Sequence, residues 1–217
     1  MKIIIECEES QTVCKAFRAK GHEAYSCDLK PCSGGRPEWH IKGDCLDNLD
    51  GYGFIGAHPV CKYLTNSGVG WLVRTKGASG FTWDNNYNIF INWERHGLMV
   101  KGALFFNRLL SAIKRAGKGY AENPVMHKYA REIVTAPYQQ IIQPYQFGHM
   151  ESKATCLWLE GLPLLKSTNN VYDLMMQQPK NVRMRLHYLP PSKNRDELRS
   201  KTYTGIAAAM AEQWGGL

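Results

Sequence analysis

Within its first sixty residues the chain alternates short β-branched runs with helical and loop text, and each run closes on polar residues. Ile3-Ile4-Ile5 leads into Glu6-Cys7-Glu8-Glu9-Ser10-Gln11. Val13, Cys14 and Phe17 then recur at the spacing of one helical face, which ends at Gly21. His22 to Leu29 reads as a second strand closing on Asp28, and a Pro/Gly-rich loop runs from Pro31 to Pro37. His40 to Asp44 is a third short strand with a turn, and Phe54 to Pro59 a fourth, stopped by proline. Such a rhythm predicts a doubly wound α/β sheet. Ligands of these sheets sit beyond the carboxyl ends of the strands, where the strand order reverses, and the polar residues fall at those ends.

The rest of the chain extends the same pattern. Thr65 to Gly97, rich in glycine, asparagine and tryptophan, reads as a long loop or lid, with room for short helices, inserted in a single domain spanning 1–217. Its Trp71, Trp83 and Trp93 either stack on a base or pack beneath the loop. Leu98 to Ile113 is an amphipathic helix with Leu98, Val100, Leu104, Phe105, Leu109, Ala112 and Ile113 on its apolar side. Glu122-Asn123-Pro124 ends a strand, His127 to Val134 forms another helix, and Gln140–Tyr145 and Thr155–Leu159 read as late strands. The interval 166–195 is a mixed, polar elaboration, and Thr202 to Trp214 a closing alanine-rich helix.

Charge and cysteine usage narrow the function classes. Lysine and arginine outnumber acids 27 to 19, a formal charge of +8, which suits a polyanionic partner such as nucleic acid or a nucleotide. The apolar runs are too short to span a bilayer and the opening meets Glu6 at once, so the expectation is a cytoplasmic protein without membrane contact. Seven cysteines form no even disulfide framework. Cys27, Cys32, His40 and Cys45 lack the tight spacing of structural zinc sites, so no metal is expected and most thiols read as small core residues.

Three positions at strand ends carry chemistry together. Cys61 lies just beyond the proline-locked strand end at Pro59, Glu122 leads its turn, and Lys153 precedes the last strand. A thiol and a carboxylate at neighbouring strand ends make a nucleophile–acid pair. The order of segments resembles the DNA cytosine-5 methyltransferase family, in particular its small phage-type members. Ala57-His58-Pro59-Val60-Cys61 is similar to the family's Pro-Cys loop, and Glu122-Asn123 to its Glu-Asn-Val motif. The stretch from Gln143 to Trp158, with Lys153 and Thr155, resembles the Gln-x-Arg-x-Arg motif; Arg199 to Ala207 resembles the closing motif that returns to the cofactor pocket.

The resemblance implies a Rossmann-like class I methyltransferase fold and S-adenosylmethionine-dependent methylation of cytosine C5, most simply in DNA, in a phage host's cytoplasm. It implies Cys61 as the nucleophile, Glu122 as the partner of the ring N3 edge and Lys153 as a supporting cation. For the cofactor it implies the first turn (Cys7, Glu8, Ser10, Gln11), Asp28 at the ribose, Asp44 at the adenine and Pro59 beside the sulfonium. The sequence departs from the family in a first turn without glycine, in Val60 for a second proline, and in Lys153 and Thr155 for arginines. About thirty residues at 166–195 are too few for an independent target-recognition domain. RNA or a free pyrimidine nucleotide therefore stands as an alternative substrate, and a catalytically silent nucleotide- or nucleic-acid-binding module as an alternative function.

Overall fold

A computed structural model describes every residue of the chain except 48. Strand β1 (Lys2–Glu6) is followed by helix α1 (Thr12–Ala19), β2 (Glu23–Asp28), β3 (His40–Lys42) and β4 (Phe54–Ala57). Next come three short strands, β5 (Val73–Arg74), β6 (Thr82–Asp84) and β7 (Ile89–Ile91), and the long helix α2 (Trp93–Ala116). Beyond it lie β8 (Gly119–Pro124), α3 (Lys128–Arg131), β9 (Gln140–Ile142) and β10 (Thr155–Glu160). Four short helices follow, α4 (Tyr172–Met176), α5 (Lys180–Arg183), α6 (Arg185–Tyr188) and α7 (Arg195–Ser200), before the closing α8 (Thr204–Trp214).

Seven strands form one sheet in the order β3-β2-β1-β4-β8-β10-β9. Pairing is parallel from β3 through β8, and β10 runs antiparallel to both of its neighbours. Ile3, Ile4 and Ile5 are all buried because β1 lies in the middle with both sheet faces covered. Alternate residues serve opposite layers. Ile4, Cys27 and Ile55 pack with Met99, Ala103 and Phe106 of α2, whereas Ile3, Ile5, Phe54 and Tyr120 pack with α1 and α8. Gly56 permits the second layer to close, since a Cβ there would lie 2.8 Å from the Tyr120 ring and 2.9 Å from Ile5 Cδ1. The strand order reverses between β1 and β4, so the crevice beyond their carboxyl ends is the sheet's natural ligand position.

The architecture is the doubly wound α/β sheet expected from the sequence, with corrections in detail. The stretch 65–97 is not plain loop: β5, β7 and β6 make a separate three-stranded antiparallel sheet in that order. Two- and three-residue strands are too short to show a period of two. Helix α2 starts at Trp93 and runs to Ala116, capped by Asn92, whose Oδ1 accepts the Arg95 N–H at 2.9 Å, and stopped by Gly117 at φ +73°. Its buried face carries Met99, Ala103, Phe106, Leu109, Ala112 and Ile113, while Leu98 and Leu104 are exposed. Leu109, Ala112 and Ile113 face the sheet as expected, while in the first half of the helix Met99, Ala103 and Phe106 take the place of Leu98 and Leu104. Trp71, Trp83 and Trp93 are exposed and do not pack beneath a loop. No helix among the described residues is long and apolar enough to cross a membrane.

Helix α8 seats the end of the chain against its beginning. Trp214 is fully buried beside Tyr120, ring centroids 5.4 Å apart, and its indole N–H donates to the Pro163 carbonyl at 3.1 Å. Lys20, just past α1, pairs with Glu212 of α8. Trp214→Ala should cost about 3–5 kcal/mol of unfolding free energy through the cavity it opens. Trp71→Ala, at an exposed ring, should stay within about 0.5 kcal/mol. Urea denaturation of the two variants checks the contrast.

Candidate functional site

The crevice begins where β1 hands over to α1. Cys7 and Gln11 both take left-handed backbone conformations, φ +58° at each, a region that costs side-chain-bearing residues about 1–3 kcal/mol. The glycine-free first turn thus still makes the tight bend, and the surroundings hold it. Glu8 is buried and its two oxygens accept the Val13 and Cys14 N–H groups at 2.6 and 3.1 Å, closing the start of α1. Burial pushes the Glu8 carboxyl up to about 8, against these hydrogen bonds, which favour its charged form. Gln11 is fully buried: its Oε1 accepts from Cys32 Sγ at 2.9 Å and the Arg36 N–H at 3.1 Å, and its Nε2 donates to the Arg36 carbonyl at 2.7 Å. Ser33 donates its N–H and its hydroxyl to Glu9, and Lys15 donates to the Gly34 carbonyl. The Pro/Gly-rich loop is folded onto the turn and fixes it.

The remaining residues assigned from sequence to the cofactor side lie along the same edge. Ser10 bonds Thr12 hydroxyl to hydroxyl at 3.1 Å. Asp28, half-buried at the end of β2, accepts the Lys30 N–H at 2.9 Å. Asp44, exposed after β3, accepts the Leu46 N–H at 2.9 Å. Pro59 is buried just past β4. The side chains of Glu8 and Gln11 shape the turn from inside, leaving Ser10, Asp28 and Asp44 as the polar groups with surface to offer a ligand. A helix start filled by its own carboxylate has no N–H groups left for a phosphate. Two carboxylates and a hydroxyl suit a ligand that donates hydroxyl hydrogen bonds better than a pyrophosphate.

On the β4 side, the backbone N–H of His58 donates to the Glu6 carbonyl at 2.9 Å, and the chain passes Pro59 into a turn in which the Cys61 carbonyl accepts from Leu64 and Thr65. Ala57 lies opposite Ala121 in β8, one residue before Glu122, and Glu122 lies opposite Leu157 in β10. Lys153, just before β10, is held by its ammonium donating to the Arg199 carbonyl at 2.9 Å. Cys61, Glu122 and Lys153 share one electrostatic neighbourhood, joined by Arg199. Burial holds the Cys61 thiol above its ordinary value; Lys153 and Arg199 oppose that rise and Glu122 adds to it. The thiol is half-buried.

Sequence reasoning did not single out what supports this group. His58 Nε2 shares a 2.7 Å hydrogen bond with the Tyr120 hydroxyl, and its Nδ1 lies 3.4 Å from Thr202 Oγ1. Thr202, in the segment resembling the family's closing motif, therefore reaches the β4 loop. Asn123, beside Glu122, is fully buried, and its Oδ1 has no hydrogen-bond partner among the described residues. No spacing signal tied these residues together, because each comes from a different segment.

Two pH responses follow. Cys61 reacts with alkylating agents as thiolate, so Lys153→Met, which removes a cation that lowers the thiol, should slow its alkylation at fixed pH, and Glu122→Gln should speed it. Peptide-resolved iodoacetamide labelling across pH reads both signs. Burial depresses the His58 imidazole, with Glu122 opposing and Lys153 reinforcing the shift. Its folded value lies below the unfolded one of about 6.5, so its contribution to stability is present above about pH 6.5 and is lost as pH falls through the folded value. Thermal melts from pH 8 to 5 should show that loss, smaller in His58→Gln. No protein-family model and no curated protein matches this chain.

Proposed function

We propose that this chain is an S-adenosylmethionine-dependent methyltransferase acting on cytosine C5 in DNA through a covalent adduct with Cys61. The observation that carries the reading is the convergence of Cys61, Glu122 and Lys153, from three separate segments, beyond the carboxyl edge of the sheet. The reversal of strand order between β1 and β4 supports a ligand crevice of the class I methyltransferase type beside it. The turn at Cys7 and Gln11 supports it further, since it attains without glycine the bend a bound cofactor needs.

The chemistry assigns a task to each side chain. Cys61, as thiolate, forms a bond to cytosine C6 and makes the ring's C5 electron-rich. Lys153 and Arg199 offset part of the burial that holds Cys61 as the thiol. Glu122 donates to the ring N3 as the adduct forms and takes the proton back as it collapses. When bound, S-adenosylmethionine supplies the electrophilic methyl group. Asp28 would hold its ribose hydroxyls and Asp44 its adenine amino group, with Pro59 against the methyl donor. Loss of the C5 proton to a base then releases the thiolate. The exposed rings of Trp71, Trp83 and Trp93 offer stacking surfaces for an extruded base or a single strand.

A second reading, a pyrimidine in single-stranded DNA, in RNA or in a free nucleotide, draws on α4 to α7. These four helices of four to six residues build no separate domain for reading a duplex. The test uses 5-fluorocytosine in double-stranded DNA, single-stranded DNA and RNA with S-adenosylmethionine, because fluorine blocks the release step. A covalent complex on DNA, lost in Cys61→Ala, is expected. Turnover on the unmodified oligonucleotide, read as 5-methylcytosine by nucleoside mass spectrometry, should fall more than about 10³-fold in that variant. A complex on RNA alone shifts the substrate to the second reading. No complex on any form, with folded protein that also fails to bind the cofactor by calorimetry, overturns the proposal.

A further inference from the structure

The ends of β1 and β2 and the loop after β3 bring together a group that the crevice chemistry does not use. Glu6 and Cys27 are completely buried and Cys45 nearly so, and their ligating atoms all lie within 4.8 Å of one another. The left-handed turn at Cys7 carries a third thiol against Cys45. Its Sγ lies 3.5 Å from Cys45 Sγ, and its backbone N–H donates to that sulfur at 3.3 Å. Both oxygens of Glu6 are without a hydrogen-bond partner among the described residues. The groups that act on it, Cys45, Cys27 and Asp44, bring no positive charge. A fully buried carboxyl group faced by two thiols asks for an explanation.

We propose that Glu6, Cys7, Cys27 and Cys45 form a structural binding site for a zinc-class divalent cation. Thiolate and carboxylate are ligands that zinc accepts in a closed, four-coordinate shell. Zinc–sulfur bonds of about 2.3 Å place sulfurs about 3.8 Å apart in a tetrahedron, close to the 3.5 Å between Cys7 and Cys45. Glu6, Cys27 and Cys45 keep their ligand atoms within 4.8 Å of one another, and Cys7, which touches Cys45, completes the shell by side-chain rotation. An N–H donating to a ligating sulfur, as Cys7 does to Cys45, is the kind of outer contact that orients metal thiolates. The cation displaces the protons of the carboxyl and thiol groups to solvent and supplies the charge that Glu6 lacks. With four protein ligands there is no open position for chemistry, so the role is to tie β1, β2 and the β3–β4 connection together. The set is not Cys27, Cys32, His40 and Cys45, whose spacing argued against a metal: Cys32 bonds Gln11 and His40 bonds Ser26 and the Lys30 carbonyl, while Glu6 and Cys7 stand beside Cys27 and Cys45.

The inference is independent of the methylation reading, and its test involves no methyl transfer. Reduced, metal-free protein, shown folded by circular dichroism, is titrated with cobalt(II) and then zinc. Expected are one cobalt per chain, thiolate-to-metal charge-transfer absorption with the visible bands of a tetrahedral ion, and bleaching by zinc. Cys27→Ser and Cys45→Ser should each weaken binding at least about 100-fold, whereas Cys14→Ser and Cys156→Ser leave it unchanged. Glu6→Gln should keep the charge-transfer band and shift the visible ones. If the buried variants fail to fold, Cys7→Ser on the surface turn and the loss of thermal stability of wild-type protein in chelator carry the test. A folded wild type that takes up no metal, binding that survives loss of Cys27 or Cys45, or a Cys7–Cys45 disulfide as the stable state would each overturn the proposal.

Discussion

The parallel pairing of β1 with β4 is the constraint from which the rest of the molecule follows. Ile3 to Glu6 align with Phe54 to Ala57, and both strands lie under helices on two sides. Because β2 continues the sheet on one side and β8 on the other, the chain leaves β1 and β4 in opposite directions. The two exits cannot fill the space between them. One exit is the strained turn at Cys7 and Gln11; the other is the His58–Pro59 step, bonded back to Glu6 through the His58 N–H. The candidate site is the gap left by those two exits.

Much of this architecture was legible because it depends on local pattern. The apolar run at Ile3–Ile5, the polar closures at Asp28 and Asp44 and the proline stop at Pro59 each report a strand and its end without outside help. The small sheet within 65–97 was not legible, since strands as short as Val73–Arg74 cannot display alternation and Thr82 and Trp83 face outward. Only the first half of the face of α2 was misread, for a related reason. Leu98 and Leu104 are as apolar as the buried positions, and only the sheet decides that Met99 and Ala103 turn inward.

Site residues divide along the same line. Cys61, Glu122 and Lys153 each stand at a strand end in a segment with its own signature, and Arg199 and Thr202 in the stretch read as the closing motif. Their partners were not legible, because the pairings run across 46 to 144 positions of sequence, such as His58 with Thr202 and Lys153 with Arg199. The thiols of Cys7, Cys27 and Cys45 likewise meet only through strand register. Irregular spacing hid what adjacent strands made regular.

The seating of α8 on α1 has a consequence for how the molecule comes into being. One layer of the sheet, including Phe17, Phe54 and Tyr120, is finished only by Ile206, Met210 and Trp214. On the ribosome, that apolar surface stays bare until α8, far downstream of α1 and β4 in sequence, has been made and has cleared the exit tunnel. Such a chain spends its synthesis open to chaperones and to aggregation.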